Sequence, residues 1–171
     1  MGYAFELIQN FLDAGGQVLW VIMFTTLALW VLIIERFAFF KTEVPKIKKA
    51  TEEKWKGTGS HMSWEAHRIR EMILSQAKSE VFKFIPMIKT LVALCPLLGL
   101  LGTVTGMIAV FDVMAVAGTG NARMMASGIS MATIPTMAGM VAALSGLYFG
   151  SMLEKKAKTV TENLSEQLTF E

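Results

Sequence analysis

Hydroxyl groups, rather than charges, are what this chain offers for chemistry inside its longest apolar runs. Ser127, Ser130, Thr133 and Thr136 recur at strict intervals of three, then give way to Gly139, Ala143, Gly146 and Gly150. Upstream, Gly99, Gly102, Thr103 and Gly106 recur at three- and four-residue spacing, which places them on one face of a helix. Small residues at this spacing let two helix backbones approach closely. A hydroxyl both donates and accepts a hydrogen bond, so it can bind water or a partner's carboxylate. Two roles are therefore open. The stripes of Gly99, Gly102, Gly106, Gly139 and Ala143 pack helices. The hydroxyls either share in that packing or face a lumen, Thr103 and Thr136 first among them, with Thr133 and Ser130 alongside. Pro96 and Pro135 interrupt the two runs. Each removes one ladder hydrogen bond and frees a carbonyl one turn earlier, which makes them candidate hinges.

What is missing is as informative. Between Lys89 and Lys155 the acidic and basic side chains are Asp112, Arg123 and Glu154, each at the end of an apolar run. Ionisable groups within a membrane mark proton relays and substrate sites, because burying one without such a purpose costs roughly 3 kcal/mol or more. Acting alone, the chain has no such group to carry a proton. Cys95 is the single cysteine, which excludes an internal disulfide and a cysteine-built metal site. His61 and His67 are isolated histidines in a polar segment, where solvation is the expectation and metal binding is not. With no nucleophile–base pair and no ligand cluster, neither an enzyme nor a cofactor or nucleic-acid partner is expected.

These residues must be positioned by membrane helices. Hydrophobic residues make up 53% of the 171-residue chain and charged residues 18%, more apolar surface than a soluble domain of this size can hide. Crossing the hydrocarbon layer takes about 20 apolar residues as a helix. Three runs qualify, from Ala14 to Ile34, from Thr90 to Phe111 and from Met124 to Leu153. The expected fold is all-α with three spans. It comprises an N-terminal interfacial segment over residues 1–16, spans over 17–40, 86–112 and 127–153, a helical segment over 41–85, a short loop over 113–126 and a C-terminal helix over 154–171. The first 16 residues carry Glu6 and Asp13 but no Lys or Arg, unlike a secretory signal, so the first span is expected to be retained.

Direction follows from the basic residues. Of 16 Lys and Arg, eleven lie from Lys41 to Lys89, Arg36 ends the first run, and Lys155, Lys156 and Lys158 follow the third. These groups share one side of a three-span protein, expected to be the cytoplasm, with the N-terminus and the loop before Arg123 on the other. Outside the spans, Ile69, Ile73, Ala77, Val81 and Phe84 repeat at helical intervals, as do Leu153, Ala157, Val160, Leu164 and Leu168. The two stripes are expected to pack on each other or on neighbouring copies.

The run Pro96-Leu97-Leu98-Gly99-Leu100-Leu101-Gly102-Thr103-Val104-Thr105-Gly106-Met107 resembles the span-two signature of the ExbB/TolQ/MotA proton-channel family. Gly128-Ile129, Ala132, Thr136 and Gly139-Met140-Val141-Ala142-Ala143 resemble its span-three signature more loosely, and the three-span topology is most like the short ExbB type. The resemblance implies a homo-oligomeric ring, a pentamer in the ExbB type, in a Gram-negative inner membrane, with a periplasmic N-terminus and cytoplasmic C-terminus. It also implies an ExbD-like single-span partner whose membrane aspartate carries protons past Thr103 and Thr136. That movement would energise a TonB-like protein for uptake of iron-siderophores or cobalamin. The near alternative is a TolQ-like role in outer-membrane maintenance; a passive membrane scaffold is the more distant one. One position departs from the pattern. Met131 stands where ExbB-type proteins usually carry a glutamate, five residues before the threonine, which fits an auxiliary TonB system. The Pro135 position is likewise unlike the family's usual alanine.

Overall fold

A computed structural model describes residues 2–56, 64–117 and 122–168, and every regular element among them is an α-helix: α1 (Gly2–Thr42), α2 (Val44–Lys56), α3 (Trp64–Phe82), α4 (Ile85–Ala117) and α5 (Ala122–Gln167). Gly57-Thr58-Gly59, whose two glycines favour a break in the helical segment expected over 41–85, lies outside the described residues. Among the described residues, three helices are long and apolar enough to cross a membrane. Their apolar windows are only 22–28% buried within the chain, so lipid or other chains must cover the remainder.

Local sequence explains where the helices bend or stop. α1 turns at Gly16, whose φ of 67° lies in the left-handed region that glycine enters without steric cost. This separates a short N-terminal helix from the span that follows. α1 ends two residues before Val44-Pro45, because Pro45 has no N–H to offer the carbonyl of Lys41, and proline suits the first turn of α2. Pro86 does the same between α3 and α4, where Phe84 takes a φ of 66°. Such a conformation strains a residue with a Cβ, so the surroundings must hold it. α4 and α5 each run on through their prolines, Pro96 and Pro135. The expected loop over 113–126 is shorter than its expected bounds, since α4 extends to Ala117 and α5 begins at Ala122.

The chain forms two compact units. The first comprises residues 1–30 and 89–147, with Leu19, Ile22, Leu29, Val92, Cys95, Val110, Ala132 and Ala142 buried. The second comprises residues 31–88 and 148–171. In it the two amphipathic stripes meet. Trp55, Ile73 and Leu168 form one cluster, with Ile69 and Leu74 against it. Val81, Ile85 and Ala157 form another, with Phe40, Phe82 and Val160 against it. Phe84, placed with the α3 stripe by its spacing, is 37% exposed because the left-handed turn takes it off the helical repeat.

Two arginines tie this second unit together. Arg36 is 1% exposed; its guanidinium donates to the carbonyl of Glu80 at 3.3 Å and lies over the rings of Phe39 and Phe84 at 4.6 and 5.3 Å. The carbonyl is among the last of α3, where a cation complements the negative helix end, and the stacking helps hold Phe84 in its turn. Arg70 closes α5 in the same way. Its Nε donates to the carbonyl of Leu168 at 2.6 Å and its terminal nitrogen to that of Ser165 at 2.8 Å.

Candidate functional site

The small residues of α4 and α5 face each other. A Cβ placed on Gly106 would lie 2.5 Å from the Cα of Ala132 and 2.7 Å from its Cβ. One on Gly99 would lie 3.0 Å from the Cα of Thr136, and one on Gly139 2.5 Å from the carbonyl oxygen of Cys95. Gly102 receives the ring of Pro135, which is itself fully buried. The glycine stripe is thus used within one chain, as a seam that brings α4 against α5. Gly128 and Gly146 extend it, meeting Val110 in the first case and Val92 with Leu29 in the second. The spacing of Gly99, Gly102 and Gly106 in sequence showed that they share a face, but not what that face would meet. Ala143 is half-buried. Pro135, expected as a hinge, is a packing element of the seam, while Pro96 is exposed.

The hydroxyls divide around this seam. Thr136 is half-buried and donates across it to the carbonyl oxygen of Gly99 at 2.9 Å. Thr103, also half-buried, donates to the carbonyl of Leu100 at 2.7 Å, within its own helix. Thr133 is exposed and shares its proton between the carbonyls of Ile129 at 3.1 Å and Ser130 at 3.3 Å. Ser130 is exposed. The three threonine protons are therefore committed to backbone carbonyls, while their lone pairs remain available. A hydroxyl in that state accepts a hydrogen bond from a protonated carboxyl group as it stands. To bond an ionised carboxylate it must first rotate its proton away from the carbonyl.

Met131 lines a cavity of about 190 Å³ with Gly15, Gly16, Gln17, Val18, Thr105, Gly106 and Ala109. The position where the ExbB pattern has a glutamate therefore adjoins the bend in α1, with Gln17 and Thr105 as polar residues of the same lining.

Long apolar helices with exposed apolar flanks, a close glycine seam and hydroxyls along it define a multi-pass α-helical membrane protein. The model of the MotA/TolQ/ExbB proton channel family matches residues 39–166, three quarters of the chain, and the chain belongs to that family. Two proteins of Synechocystis sp. with names in the biopolymer transport class are similar to it. One, named ExbB-like 1, is 48% identical over 64 residues, 36% of this chain and 25% of the relative. The other, named ExbB-like 3, is 36% identical over 81 residues, 46% of this chain and 39% of the relative. The chain thus spans between a quarter and two fifths of the length of these relatives.

Proposed function

We propose that the chain is the ring-forming scaffold subunit of a motor driven by the proton-motive force, of the ExbB type, and not an enzyme. One observation carries this. A member of a proton channel family has three apolar runs with no acidic or basic side chain in the middle of any of them. Protons do not cross hydrocarbon without a group to hold them. The titrating carboxylate must then come from another chain, and a single-span, ExbD-like partner with a membrane aspartate is the simplest source.

In such an assembly several copies, five on the ExbB pattern, surround the partner helices. Thr103 and Thr136, with Thr133 and Ser130, face the aspartate. The threonine hydroxyls accept from the protonated acid and rotate to donate to the carboxylate, so they favour neither state strongly. Loading and release of the proton then move the partner, and a TonB-like protein transmits the work to outer-membrane uptake of iron-siderophores or cobalamin. The basic ends of the helices face the cytoplasm of a Gram-negative cell, and the N-terminus faces the periplasm. The test is to purify the intact complex from native membranes in a gentle detergent and weigh it. A ring of this chain holding a small single-span protein with a membrane aspartate is the expected result, and the partner's identity separates the TonB from the TolQ branch. A monomer, or a ring with no carboxylate-bearing partner, would refute the proposal and favour a passive scaffold.

A further inference from the structure

We propose that the cavity between α1 and α5 in the second unit binds one anionic phospholipid. The cavity measures about 620 Å³, and Ile34, Phe37, Phe40 and Val160 form its apolar wall. Its charged lining is Lys41 from α1 and Lys156 from α5. No carboxylate lines it among the described residues.

Three observations point to this occupant. The first is the division of the lining into an apolar part and a cationic part, which matches an acyl chain joined to a phosphodiester. The second is depth. The apolar run of α1 ends at Ile34 and that of α5 at Leu153, so Lys41 lies about 10 Å and Lys156 about 4–5 Å farther along their helices. The headgroup layer on each side of the hydrocarbon is about 5–8 Å thick, within reach of both flexible side chains. The third is charge. The ammonium of Lys156 lies 5.0 Å over the ring of Phe37, which directs it to the apolar wall. Nearby acids already have cations beside them, Glu154 with Lys158 at 3.5 Å and Glu35 with Arg36 at 4.0 Å. The two lysines of the cavity thus attract a singly negative phosphodiester. They repel the ammonium of a zwitterionic headgroup such as phosphatidylethanolamine.

The test is titration of the purified full-length oligomer with phosphatidylglycerol or phosphatidylethanolamine in mild detergent, read by mass spectrometry of the intact assembly. The wild type retains phosphatidylglycerol at least about tenfold more strongly, since each lysine near an anionic group contributes a factor of about five. The Lys41→Gln/Lys156→Gln double variant loses that preference. Lys49→Gln/Lys78→Gln, which removes the same charge elsewhere, keeps it. Ala38→Trp, which fills the cavity, lowers retention without changing the oligomer's mass. Equal retention of the two lipids by the wild type would overturn the proposal, as would equal loss in both double variants. If Ala38→Trp breaks up the oligomer, a second copy of the chain occupies the cavity and the proposal is wrong.

Discussion

Replacing Gly106 by alanine should destabilise the protein, whereas the same change at Gly150 should not. At Gly106 the new methyl meets the Cα, backbone nitrogen and Cβ of Ala132 at 2.5–2.7 Å. Ordinary contact begins near 3.4 Å, so the seam must open by roughly 1 Å, and no rotamer of Ala132 can relieve the clash. Overpacking of this kind costs about 1–3 kcal/mol, and the upper half of that range applies where backbone must move. Alanine gains about 1 kcal/mol of helix propensity over glycine, leaving a net loss of about 1–2 kcal/mol. At Gly150 the nearest atom is the Cγ2 of Ile88 at 3.4 Å, an acceptable contact. Only the propensity gain remains there. Propensity cancels in the comparison, so the two variants should differ by about 2–3 kcal/mol, or about 4–12 °C in Tm for a chain of this size. Thermal unfolding of both variants in one detergent, followed by tryptophan fluorescence, gives the answer. Equal midpoints would show that α4 and α5 do not meet at Gly106.

Thr136→Val removes the bond to the Gly99 carbonyl but keeps the shape, and an interhelical bond in a membrane contributes about 0.6 kcal/mol. If the proposed function holds, assembly should therefore survive while the proton-driven uptake falls; normal uptake at wild-type protein levels would remove Thr136 from the proposed proton path. Arg70→Ala strips the cap from the carbonyls of Ser165 and Leu168, so limited proteolysis should cut the end of α5 several-fold faster than in wild type. An unchanged cleavage rate would mean that the cap adds nothing to the order of that helix end. Arg36→Ala should cost about 2–3 kcal/mol, because the Glu80 carbonyl loses a charged donor and Phe84 loses its stacking partner. A Tm within about 2 °C of wild type would contradict that assignment.

The three spans were legible in the chain because bilayer thickness imposes about 20 apolar residues on any helix that crosses it, a constraint written locally. The stripes around Ile73 and Leu164 were legible for a similar reason, since the 3.6-residue repeat shows which face is buried. Neither signal names the partner of a face. Only the tertiary structure showed that the glycines of α4 meet Ala132, Pro135 and Thr136, and that Thr136 spends its proton on Gly99, 37 residues away. Arg36 shows the limit most plainly. By position it is a charge ending an apolar run, yet the chain buries it against a carbonyl 44 residues distant and beside a strained phenylalanine. Periodicity is a property of neighbouring residues along one helix. Hydrogen-bond partners and close backbone approaches arise only when distant segments are brought together, and there the fold decides.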